Sequence, residues 1–181
     1  MDFNKKINFF DKVKKGDIIT CRGENNLGKI IRWITNSNYN HSALYIGEQE
    51  VIEALSNGIV ISDINERLDN PKEEVYIDRV KNFDISKINE LIDYSKTFLH
   101  TKYDWIGLLG IATKYIVRKC HLDKLITFWG RNKIENQRKL WCSEFCGVVF
   151  SKFNIKFTDD DTSYLTPNEI HSSSEIINIP F

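Results

Sequence analysis

The chain has 181 residues, of which 41% are hydrophobic and 28% charged; that is enough for one domain with a sizeable core, too little for two, and too apolar for a disordered tail. Lys+Arg and Asp+Glu are both 25, a formal net charge of +0, so a nucleic acid wrapped along the whole molecule is not expected and any charged partner is met locally. The N-terminal residues lack the apolar core of a signal peptide, the uncharged run 105–113 is far shorter than the roughly 20 residues of a membrane span, and Cys21, Cys120, Cys142 and Cys146 are too few for a disulfide scaffold, which together point to a cytoplasmic protein with reduced thiols.

The first predicted strand starts near Asp17, where a β-branched run is bounded by Gly16 and Gly23. Leu27, Ile30, Ile31 and Ile34 then recur at helical spacing, and Asn36-Ser37-Asn38 ends that helix. Two strand-like runs, His41 to Gly47 and Val51 to Leu55, form a predicted hairpin, and Asn57-Gly58 turns into a further strand over Ile59-Val60-Ile61. Another strand is expected around Val75 to Val80. Ser86 reads as the N-cap of a helix carrying Ile88, Leu91, Ile92 and Ser95, and a last helix runs from Cys142 to Phe153. This mixed order, mostly β first and α later, argues for an α+β domain.

Cys142 stands where the last helix begins, and there free backbone N–H groups and the helix dipole favour a thiolate. A free cysteine is, by contrast, most commonly a small buried hydrophobe. A nucleophilic thiol needs a base. Of the four histidines, His41 alone opens a strand, although a surface histidine after an Asn-rich loop fits that context equally well. Glu53 interrupts an apolar strand, so it either faces water or points at a partner. Pairing Ala43 with Glu53 around a Gly47-Glu48-Gln49 loop puts Glu53 on the face of His41, one diagonal step away; an even loop puts them on opposite faces. Cys142 and Cys146 lack the second ligand pair of a zinc site, so no metal is expected, and Cys146 and Cys21 read as buried apolar residues.

Gly16-Asp17-Ile18-Ile19, His41-Ser42-Ala43-Leu44-Tyr45-Ile46-Gly47 and Val51-Ile52-Glu53-Ala54, followed by Tyr103-Asp104-Trp105 and Trp141-Cys142-Ser143-Glu144-Phe145, resemble the motifs of the circularly permuted, papain-like NlpC superfamily. That group includes YiiX/YaeF-like and related poxvirus proteins. In ordinary NlpC-like cell-wall hydrolases the Cys-Ser helix precedes the His strand; here the order is swapped. Leu165-Thr166-Pro167-Asn168 resembles a further family element. The resemblance implies a single domain over 1–181 with an antiparallel sheet or half-barrel packed against helices. It also implies Cys142 as nucleophile, His41 as general base, Glu53 as the residue that orients His41, and Tyr103 as a tyrosine near the nucleophile that assists the oxyanion. A half-buried aromatic is the plainer reading of Tyr103.

The implied function is that of a cysteine hydrolase acting on an amide, peptide-like bond through a Cys-His-Glu triad and an acyl-enzyme, without a cofactor. Cell-wall turnover outside the cell is not expected, for want of a signal peptide and a wall-binding domain. Two rivals remain. One is a lipid-directed thiol acyltransferase or phospholipase, since the architecture also resembles lecithin:retinol acyltransferase-like proteins; the other is a non-catalytic binding module on the same fold. Between Tyr103 and Cys142 lies a predicted insertion, about 106–139, with Lys114, Arg118, Lys119, Lys124, Arg131, Lys133, Arg138 and Lys139 against Asp123 and Glu135. Its charges are interleaved with Tyr115, Phe128 and Trp129, which suits an anionic membrane surface or ligand, or else an ordinary solvated face.

Overall fold

The computed structural model describes residues 3–24, 26–35, 37–104, 139–159 and 161–181. Its centre is a six-stranded antiparallel sheet of β1 (Ile18–Gly23), β2 (His41–Gly47), β3 (Glu50–Leu55), β4 (Gly58–Asp63), β5 (Glu73–Val80) and β8 (Ile176–Ile179), in the order β4-β3-β2-β1-β5-β8. Every residue of β2 is buried, because the sheet is covered on both faces. Ile18, Leu44, Ile52 and Ala54 pack on one side with Leu91, Ile92, Phe145, Val149 and Phe150. Ile19, Cys21, Ala43, Val51, Val75 and Ile77 pack on the other with Phe9, Ile64 and Leu68. A strand buried on both sides has no polar face to alternate with, which is why β2 reads as a continuous apolar run after its first two residues.

The helices that supply these side chains are α1 (Phe3–Lys12), α2 (Asn26–Thr35), α3 (Asn65–Leu68), α4 (Ile88–Lys96), α5 (Cys142–Ser151) and α6 (Pro167–His171). Strands β1 to β5 and helices α2 and α5 lie close to where the sequence places them. α1, α3, α6 and β8 have no counterpart in that reading. The start of α4 also differs from expectation: Asp84, not Ser86, is the capping residue, with its Oδ1 accepting from the Ser86 N–H at 3.0 Å, and a 3-10 turn over Ile85–Lys87 precedes the helix proper. An aspartate two residues earlier offers the stronger acceptor to the free N–H groups.

Two details of the backbone carry the site. The β2–β3 hairpin pairs Ala43 with Glu53, and its register shifts between Tyr45 and Gly47. The loop absorbs the shift with left-handed conformations at Gly47, Glu48 and Gln49 (φ 101°, 52° and 69°), and it is anchored by the Ile64 N–H donating to the Gln49 carbonyl at 2.8 Å. Secondly, β6 (Lys102–Tyr103) and β7 (Lys139–Leu140) form a parallel two-stranded clasp with Tyr103 opposite Leu140. Gly58 docks β4 against the chain entering this clasp: at φ 117°, a Cβ there would meet the Thr101 carbonyl oxygen at 2.6 Å, and the Ile59 N–H donates to that same oxygen at 2.9 Å. The predicted insertion lies almost wholly in residues 105–138, outside the described residues. No described helix is long and apolar enough to cross a membrane.

Candidate active site

Cys142 is the first residue of α5 and 2% exposed. The helix begins here because Trp141 is extended (φ −100°, ψ 173°) and its N–H donates to Glu144 Oε2 at 3.4 Å, which closes the first turn from the carboxylate side. The turn is anchored from outside by the Ser143 hydroxyl, which donates to the Leu165 carbonyl at 2.7 Å. Leu165 in turn precedes α6, whose N-cap Thr166 and Glu169 bond reciprocally. The element recognised at 165–168 therefore buttresses the start of α5.

His41 opens β2 opposite Cys21 of β1. Its Nε2 lies 2.6 Å from Glu53 Oε2, so the two side chains share a face. The expected three-residue loop is replaced by a two-residue one, Glu48-Gln49, closed by Gly47 opposite Glu50, and the bulge between Tyr45 and Gly47 restores the parity that keeps Ala43 opposite Glu53. The ring's other nitrogen, Nδ1, is left for Cys142, with which His41 interacts through hydrogen bonding and charge. Three elements thus bring together three side chains spread over 101 positions of sequence, 142 − 41. Tyr103 is half-buried beside them; the clasp sets it opposite Leu140, and burial and the Cys142 charge push its hydroxyl upward from the usual phenol range.

The electrostatics of the group are mutually consistent. Burial alone would raise the Cys142 thiol, but His41 and the backbone N–H groups of Ser42 and Ser143 outweigh it and hold the thiol below its ordinary value. For His41, burial and the Arg67 charge push down while the bonds to Cys142 and Glu53 push up, and the result is a rise to about 9. Glu53 is resisted by burial yet held down to about 2 by His41 and Arg67. The arrangement favours a thiolate–imidazolium pair backed by a carboxylate. Cys21 and Cys146 are buried and pushed well up by desolvation, so they are inert thiols; Cys120 lies outside the described residues. In the first turn of α5, burial raises Glu144 to about 7.

Sequence reasoning missed Arg67 and Glu73. Arg67 Nη2 bonds Glu53 Oε2, and its Nη1 lies 2.7 Å from Glu73 Oε1. The segment Asn65-Glu66-Arg67-Leu68 looks like any exposed polar stretch, and nothing in its spacing marks the arginine as buried between two carboxylates. The one available signal was the isolated Glu53 itself, since a carboxylate inside an apolar strand calls for a cation. Among the described residues no three His, Cys, Asp or Glu side chains are grouped so as to hold a metal ion.

The model of the permuted papain-like amidases of the YaeF/YiiX type matches residues 12–108, just over half the chain. That match includes the segments of His41, Glu53 and Tyr103 and stops short of Cys142. No curated protein matches the sequence. Among solved structures, the chain is similar to YiiX of Escherichia coli O157:H7, described as a metalloprotein, with a TM-score of 0.67 at 13% identity over 93% of this chain and 97% of that one. At such identity the likeness shows the fold, and the fold is the permuted papain-like one, with an open antiparallel sheet rather than a closed barrel. By sequence and by architecture, this chain belongs to the permuted papain-like amidase family of the YaeF/YiiX type.

Proposed function

We propose that the protein is a cysteine hydrolase that cleaves an amide, peptide-like bond through an acyl-enzyme, and that the whole chain acts as one such domain. Cys142 is the nucleophile, His41 the acid–base group and Glu53 the residue that orients it. The reading rests on one observation above others: His41 Nε2 is held by Glu53 at 2.6 Å, which turns Nδ1 to a thiol at the N-terminus of α5 that is already shifted towards the thiolate. In the reaction the sulfur bonds to the carbonyl carbon and the carbonyl π electrons move to oxygen, where the Cys142 N–H and Tyr103 stand as donors. As the tetrahedral intermediate collapses, the C–N bond breaks and the amine leaves with the proton from His41. Water, deprotonated by the now neutral His41, then attacks the thioester and releases acid and thiol.

The description of YiiX as a metalloprotein raises a metal as an alternative centre. The residues here do not fit one. His41 and Glu53 are spent on each other, and Glu53 already carries the Arg67 guanidinium, so a cation at this place would face another cation across a shared carboxylate.

Iodoacetamide at neutral pH tests the reading. It is expected to modify Cys142 ahead of Cys21, Cys120 and Cys146, and the rate is expected to fall by about 100-fold or more in His41→Ala. Preferential labelling of another cysteine, or a His41→Ala variant that labels as fast as the parent, would remove the basis for this chemistry.

A further inference from the structure

Behind the three side chains assigned to chemistry lies a second layer of charge. From α5 to β5 the groups run Cys142, His41, Glu53, Arg67, Glu73, and each touches the next: His41 to Cys142, His41 Nε2 to Glu53 Oε2 at 2.6 Å, Arg67 Nη2 to the same Glu53 oxygen, and Arg67 Nη1 to Glu73 Oε1 at 2.7 Å. With the thiolate and imidazolium formed, the signs alternate along all five. Glu53 is 2% exposed, and the Arg67 and Glu73 side chains are 16% and 10% exposed. The chain is therefore largely screened from water, where such interactions act at their strongest.

A buried ion pair is a poor device for stability alone, because desolvating the charges offsets most of their attraction and apolar side chains of the same volume do as well. What this arrangement does supply is control of a proton. A buried carboxylate whose sole cationic partner is an imidazolium can take that partner's proton, leaving two neutral groups. With the guanidinium on the same oxygen, that transfer is disfavoured, so Glu53 stays an acceptor and the proton stays on His41 for delivery to the leaving amine. The planar fork of an arginine, with one arm on each carboxylate, also fixes the Glu53 rotamer in a way a lysine ammonium does not.

We propose, on the reading of this site as a cysteine hydrolase, that Arg67 is a positioning residue: clamped between Glu53 and Glu73, it holds the carboxylate that orients His41 and tunes by its charge how readily His41 parts with its proton. Glu73 completes the device by damping the arginine's field. The groups that face His41 are Cys142 from α5, Glu53 from β3, Arg67 from α3 and the buried Cys21 from β1, with Glu73 of β5 behind Arg67. Since Cys21 is held neutral by burial, the charge balance on His41 is set by the other four. Removing the Arg67 charge should favour the imidazolium, and removing the Glu73 charge should disfavour it.

These opposite signs make the test. In the full chain, the His41 ring is titrated by imidazole Cε1–H NMR, with the signal assigned by its loss in His41→Gln. Arg67→Gln should move the midpoint up and Glu73→Gln should move it down, each by on the order of one pH unit, while Arg67→Lys, which keeps the charge, leaves it near the parent value. Labelling of Cys142 by an acyl electrophile should fall on the order of tenfold in Arg67→Gln and less in Arg67→Lys. A merely structural arginine would alter melting temperatures and leave these midpoints in place, and that outcome overturns the proposal. If Arg67→Gln does not fold, Glu73→Gln and Arg67→Lys still decide it, since a midpoint unmoved by Glu73→Gln speaks against it equally. Failure of the hydrolase reading looks different: the parent protein itself would then show no preferential reaction at Cys142.

Discussion

Glu53 Oε2 accepts from two cationic side chains at once, and the ion pair it makes with His41 dictates how stability should vary with pH. Glu53 falls from an ordinary 4.5 to about 2 on folding, so its contribution is present above pH 4.5 and is lost as pH falls towards 2. His41 rises from 6.5 to about 9, so its contribution is complete below pH 6.5 and is lost as pH climbs through 9. The pair therefore stabilises most between about pH 4.5 and 6.5. Thermal melts from pH 3 to 10 should show falling stability on both sides of that range, each arm worth on the order of a few kcal/mol, and Glu53→Gln should flatten the acid arm and reduce the alkaline one, which the bond of His41 to Cys142 also sets. A Glu53→Gln variant that keeps the parent's profile would place the titration elsewhere. At this scale the sequence was informative wherever a residue type broke a pattern. His41 opens a strand, Glu53 interrupts one, and Cys142 starts a helix. Arg67 broke no pattern, and its burial depends on a helix packing across two strands, which no local spacing records.

Elements were legible in proportion to their own periodicity. The pairing of Ala43 with Glu53 was legible because one polar side chain sat at a definite parity, but the loop was not: the hairpin closes over two residues, Glu48-Gln49, and the bulge between Tyr45 and Gly47 makes up the odd residue. α1 escaped because Phe9 is the one fully buried residue among its described side chains, too little to print a stripe, and the pairing of β8 with β5 joins segments far apart in sequence. α6 has a capping box at Thr166 and Glu169, a helix-start signal that the sequence does carry. The clasp of β6 and β7 was invisible for another reason: its two-residue strands have no periodicity at all. Its position depends on Gly58, whose positive φ and close approach to the Thr101 carbonyl leave no room for a side chain. Gly58→Ala is accordingly expected to destabilise the protein by about 2 kcal/mol. It should also slow Cys142 labelling, because Thr101 leads directly into the strand of Tyr103. Circular dichroism melts alongside iodoacetamide rates would check this, and an unchanged rate at reduced stability would uncouple the clasp from the site.

At the scale of the molecule, the described residues build their core on a sheet buried on both faces. The basic and aromatic residues of the segment 105–138 invite a functional reading, and we expect it to bring the active site to anionic surroundings. Co-sedimentation with anionic liposomes should exceed that with neutral ones. It should weaken as salt shrinks the Debye length from about 10 Å at 0.1 M to about 3 Å at 1 M, and drop in a variant with Lys114, Arg118, Lys119 and Lys124 changed to Ser. Equal binding to both lipids would return the segment to an ordinary solvated face. The clasp also bears on chain length. Since Tyr103 and Leu140 are ladder neighbours, the chain departs and returns across a gap of about 5 Å, and whatever spans that gap is anchored at both ends by the fold. Closure of a flexible chain costs only about 0.6 kcal/mol for each doubling of length, so the clasp itself sets little constraint on the length of chain joined across it. The two ends of the segment are thus set by the fold, whatever the sequence between them.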